Sequence, residues 1–140
     1  MEGKKLALIC ILTLCIVSCS RSIPQTISLF GVNVRGLKYS AIDHIDRWSP
    51  NGDGEYYLRV DLDTTQVERI EQLKLQMLEN GAKILPIKEN GIVGRIHQYR
   101  GNCHCKGLYI LNINSNDRRD YSALILDEIN HELIVIIEIF

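Results

Sequence analysis

YSALILDEINHELIVIIEIF, residues 121–140, contains two apolar runs on either side of a short polar stretch. Tyr121–Asp127 and His131–Phe140 are dominated by β-branched and aromatic residues, which suit a pleated surface. The Glu-Ile-Asn between them leaves room only for a tight reversal, which predicts an antiparallel hairpin. Leu133–Ile137 is apolar at every position, so both faces of that strand must be covered. As an exposed edge it would template aggregation. This strand belongs at the centre of a sheet.

Working outward, LYILNI (Leu108–Ile113) has the same character and predicts a third strand. EYYLRVDLD alternates, with Tyr56, Leu58, Val60 and Leu62 on one face and Tyr57, Arg59 and Asp61 on the other. A helix follows: Thr65 and Glu68 have capping-box spacing, and Asn80-Gly81 supplies a stop. Val67, Ile70, Leu73, Met77 and Leu78 form its apolar stripe, best explained by packing on the sheet. KILPI (Lys83–Ile87) predicts a short strand that Pro86 confines to an edge. Lys88–Gly107 is glycine-rich and polar, a long loop. Ile27–Val34 is expected as a first strand weakened by Gly31, Lys38–Trp48 as irregular or a short helix, and Ser49–Gly54 as a turn. The expected class is α+β: an antiparallel sheet of four or five strands with one main amphipathic helix packed on one face.

The N-terminus has another purpose. Lys4 and Lys5 precede an uncharged run, Leu6–Val17, of signal-peptide length and too short to span a bilayer comfortably. It closes on Ile16-Val17-Ser18-Cys19, which resembles the lipobox of bacterial lipoproteins. The resemblance implies that a peptidase cuts before Cys19, that the Cys19 thiol takes a diacylglyceryl group and that the freed amine is acylated, with palmitate-type chains. Two or three chains anchor stably where one does not. Ser20 is not acidic, so the inner-membrane retention signal of enterobacterial lipoproteins is missing. In a Gram-negative host that implies the outer membrane. The expected organisation is signal peptide 1–18, lipidated cysteine and polar tether 19–26, and one domain over 27–140.

Removing Lys4, Lys5 and Glu2 leaves 14 basic and 16 acidic residues, with no basic stripe for nucleic acid. Of five cysteines, Cys10 and Cys15 leave with the signal and Cys19 carries lipid. Cys103 and Cys105 cannot staple distant elements, so the fold must stand on its core.

Gly52-Asp53-Gly54-Glu55 before a strand, then a helix, Ile84-Leu85-Pro86-Ile87, Gly107-Leu108-Tyr109 and a hairpin around Asp127 is similar to small bacterial secreted proteins and lipoproteins. That likeness covers residues 50–140, lacks a tryptophan before the Leu-Pro step, and implies no activity. SPNGDG also resembles the opening of a Bacteroidetes secretion-sorting domain, but Glu55-Tyr56 follows where that family has Asn-Asp.

SPNGDGE lacks the terminal carboxylates of a calcium loop, so a turn explains it. His97, Cys103, His104 and Cys105 are metal-ligand types within nine positions, yet adjacent residues give poor tetrahedral geometry. Cys103 and Cys105 are alternatively a small strained disulfide, or two plain surface thiols. His44 lies among Asp43, Asp46 and Arg47, next to Trp48 in sequence, and His131 lies near Glu128 and Glu132; solvated charge accounts for both. Hydrolase, zinc-protease, P-loop and dinucleotide fingerprints are all missing from the sequence, so no catalytic residue and no cofactor is assigned.

The leading expectation is a non-enzymatic envelope lipoprotein that binds a bilayer through Cys19 and acts by binding another envelope protein or structurally. Tyr56, Tyr57 and Tyr99 are its candidate exposed aromatics. The alternatives are an envelope inhibitor or immunity-type protein, and a metal- or redox-responsive protein working through the Cys-His-Cys segment.

Overall fold

Ser22 starts the first helix. Its hydroxyl accepts from the Gln25 amide while the Gln25 side chain accepts from the Ser22 N–H at 2.9 Å, so each satisfies a backbone donor of the other. With Pro24 in the first turn, this sets helix α1 at Ile23–Ser28 in the computed structural model, which describes residues 22–88 and 106–140. The remaining elements are strands β1 (Tyr39–Trp48) and β2 (Gly54–Leu62), helix α2 (Val67–Glu79), and strands β3 (Lys83–Ile84), β4 (Gly107–Ile113), β5 (Tyr121–Asp127) and β6 (Glu132–Ile139). The class is α+β, and the described residues hold six strands rather than four or five and two helices rather than one.

The strands pair antiparallel in the order β1-β2-β6-β5-β4-β3. The all-apolar β6 is central: Val135 lies between Leu58 and Leu124, and Ile136 between Tyr57 and Ala123. β5 and β6 form the expected hairpin, and the buried Asp127 carboxylate organises its turn. One oxygen accepts the Ile129 and Asn130 amides at 2.9 and 3.1 Å, and the other accepts the Asn130 side chain at 2.8 Å. KILPI supplies the outer edge strand β3 as expected.

Both sheet faces are buried. On one, Leu58, Val60, Leu124, Leu133 and Val135 pack with Ile27 of α1 and with Leu73 and Met77 of α2. The other carries Tyr57, Tyr109, Tyr121, Ile125, Ile134 and Ile136, joined by Leu85.

Four expectations are corrected. Ile27–Val34 is not a strand: α1 runs to Ser28, and residues 29–38 form a strap along α2. The strap buries Phe30, Val32 and Val34 alternately, as a strand would, but its backbone is met by helix side chains. Gln76 accepts from the Asn33 N–H at 2.7 Å and donates to the Asn33 carbonyl; Gln66 does both at Lys38. Secondly, Lys38–Trp48 is not irregular or helical but contains the edge strand β1, whose charges are tolerated because almost every position is exposed. Thirdly, Thr65 does not cap α2: its amide and hydroxyl both donate to Asp63, and the cap residue Gln66 spends its side chain on the strap. Val67 and Leu78 are exposed rather than in the buried stripe. Finally, α1 reaches back into the stretch expected as tether, with Thr26 and Ile27 buried. The signal segment and Cys19 lie outside the described residues.

Candidate functional site

His97, Tyr99, Cys103, His104 and Cys105 also lie outside the described residues, so the metal and disulfide readings concern a segment not described. Tyr56 and Tyr57 are not exposed aromatics: both are core residues, 5% and 2% accessible, one in each face cluster. The carboxylates beside His131 serve cations on other elements, Glu128 with Lys74 at 2.6 Å and Glu132 with Arg59 at 3.3 Å. His44 packs edge-on against the Tyr56 ring, with centroids 5.2 Å apart.

That contact leads to a cleft on the helix-covered face. Register places Asp46, Tyr56, Ile137 and Ser122 in one row across four strands, and Trp48, Gly54 and Ile139 in the next. Thr26 and Leu29 of the α1 region close over these rows, leaving a cleft of about 520 Å³. Gly54 makes room for Trp48, since a Cβ there would stand 2.7 Å from the indole and 2.3 Å from the Arg47 carbonyl oxygen. The Trp48 indole N–H donates to the Asp46 carboxylate at 2.5 Å, which fixes the ring. Leu29, Trp48 and Ile139 expose 53%, 46% and 39% of their surface, so the cleft has an apolar rim.

Its polar depth is a phenol. Burial pushes the Tyr56 hydroxyl above its usual range; a hydrogen-bonding contact with Thr26 opposes this, and the Asp46 charge adds to it. The Thr26 hydroxyl itself donates to the Ser22 carbonyl at 3.2 Å. Geometry leaves the Tyr56 oxygen with no full hydrogen bond among the described residues. A protonated phenol, one carboxylate already engaged by an indole and an apolar rim are equipped to bind rather than to transfer protons.

Sequence reasoning did not select Trp48 as a site residue. The available signal was its place immediately before the Ser49–Gly54 turn, in alternation with His44 and Asp46. Among the described residues no cluster of three or more His, Cys, Asp or Glu is arranged to hold a metal ion, and no helix is long and apolar enough to cross a membrane. Compared with protein-family models, curated proteins and solved structures, the chain matches none.

Proposed function

We propose that this chain is a lipid-anchored, non-enzymatic module of the cell envelope, held to a bilayer by acylated Cys19 and acting on another envelope protein by binding or as a structural element. In a Gram-negative host the non-acidic Ser20 directs it to the outer membrane. The signal and Ile16-Val17-Ser18-Cys19 motif support the anchor.

The observation that carries the reading is the order of basic pair, apolar run and lipobox-like motif ending at Cys19. Three residues from Cys19 to Ser22 reach about 10 Å at full extension, and the capping box at Ser22 leaves no further slack. α1 adds about 9 Å before Leu29. Leu29 of the apolar rim is therefore within about 20 Å of the attachment point, and an indole on that rim suits the interfacial layer of a bilayer.

Mass spectrometry of the membrane-extracted protein tests the anchor: the expected N-terminus is Cys19 bearing diacylglyceryl and N-acyl groups, lost in Cys19→Ser. A mature chain starting elsewhere without fatty chains overturns it. Trp48 is the sole tryptophan, so its emission tests the orientation. In acylated protein on phosphatidylethanolamine vesicles it shifts to the blue and is quenched by brominated lipid. A water-like spectrum from verified acylated protein refutes the orientation and leaves the anchor standing.

A further inference from the structure

The strap and the flank of α2 enclose a second groove, of about 330 Å³, whose lining carries two guanidinium groups, Arg35 and Arg69, and no carboxylate. Gln66 and Gln76 clamp the strap at Lys38 and Asn33, on either side of a turn. In that turn the Leu37 N–H donates to the Val34 carbonyl at 3.0 Å, with Arg35 at the first corner and Gly36 at the second. Gly36 has φ 79°, the type II geometry that glycine fills without strain. A Cβ there would touch the Arg69 guanidinium carbon at 3.4 Å, so the bare backbone lets that side chain lie across the turn.

Arg47, Arg59 and Arg119 each hold a carboxylate, namely Glu55, Glu132 and Asp117. Among the described residues neither Arg35 nor Arg69 has an ion-pair or side-chain hydrogen-bond partner. In a chain of formal net charge −1, two cations line one concave, clamped site, and neither is neutralised by a described residue.

The geometry points to an oxyanion site in which Arg35 and Arg69 take a phosphate monoester. A guanidinium presents paired N–H donors matched to two phosphate oxygens, and Gln72 adds a neutral amide to the lining. The groove is lined from Asn33 onward and the Trp48 cleft as far as Leu29, four residues apart along the strap and no more than about 14 Å at full extension. With Trp48 set at the bilayer, phosphate free in solution or borne on a glycan is the source taken, and the vesicle titration tests a lipid headgroup against it. Only this choice of source rests on the anchored orientation; the site itself does not.

Calorimetric titration of the full chain in detergent with inorganic phosphate, at fixed ionic strength, tests the site. Saturable binding is expected, weakening with added sodium chloride. Arg35→Ala and Arg69→Ala should each weaken it about tenfold or more, and Arg69→Lys should restore only part. Both side chains are exposed, and an unchanged thermal transition shows that the variants keep their fold. Absence of saturable phosphate binding, or equal binding by both alanine variants, overturns the proposal. So does binding to phosphatidic-acid vesicles without binding of inorganic phosphate.

Discussion

β6 and β1 are strands of similar length in one sheet, eight and ten residues, yet they live in different solvents. β6 has a strand on each side and packed side chains on both faces, and Leu133–Ile136 are no more than 1% accessible. β1 pairs only with β2, and Ile42 is an extra residue where the register shifts between Ala41 and Asp43. Asp43, His44, Asp46 and Arg47 stud it with charge. A bulge and a row of charges are the usual means of keeping an edge from recruiting another strand. Place in the sheet, more than intrinsic β-preference, decides which side chains each strand tolerates.

The same carboxylate placed in each strand makes the contrast measurable. Val135→Asp in β6 should cost more than about 4 kcal/mol and abolish cooperative unfolding, because an unpaired charge enters a dry core. Ile42→Asp in β1, at a residue 48% exposed, should cost about 1 kcal/mol or less. Comparable losses in urea denaturation would break the comparison.

Next in size is the hairpin joining β5 to β6. Asp127→Ala leaves the Ile129 and Asn130 amides without their acceptor and should cost about 1–3 kcal/mol. At the edge, Arg47→Ala removes only the exposed Arg47–Glu55 pair and should change stability by about 0.2–1 kcal/mol at most.

The smallest effect is read along a pH axis. The Tyr56 value is raised above 10.0 by burial, and that of Lys74 above 10.5 by its bond to Glu128. Both contributions are fully present below the unfolded values and are lost as pH rises through the folded ones, so they lie on the alkaline limb. Tyr56→Phe should flatten part of that limb at little cost at neutral pH, since the lost hydroxyl has no full hydrogen bond. Asp63, lowered by the Thr65 hydroxyl and amide, acts oppositely: its contribution is present above 3.8 and lost as pH falls through the folded value. A Tyr56→Phe profile identical to the parent above pH 10 would contradict the assignment.

β2 and α2 were legible from a local period, and β4, β5 and β6 from runs of apolar, β-branched and aromatic residues. The tight Glu-Ile-Asn link also gave the hairpin its partner. β1 was not legible, since an edge strand exposed on both faces need not alternate, and Asp43-His44-Ile45-Asp46-Arg47 carries no period. The strap misled for a different reason: Phe30, Val32 and Val34 do alternate, but the strap's amides at Asn33 and Lys38 are satisfied by Gln76 and Gln66, 43 and 28 positions away, and not by a neighbouring strand. The Trp48 cleft depends on cross-strand rows that exist only once the register is set.

The glutamine clamps also bear on how the molecule breathes. Because Asn33 and Lys38 give their amide protons to the Gln76 and Gln66 side chains, these two loop positions exchange with deuterium only when those hydrogen bonds open. A segment without regular secondary structure thus takes protection, amide by amide, from the helix it runs along.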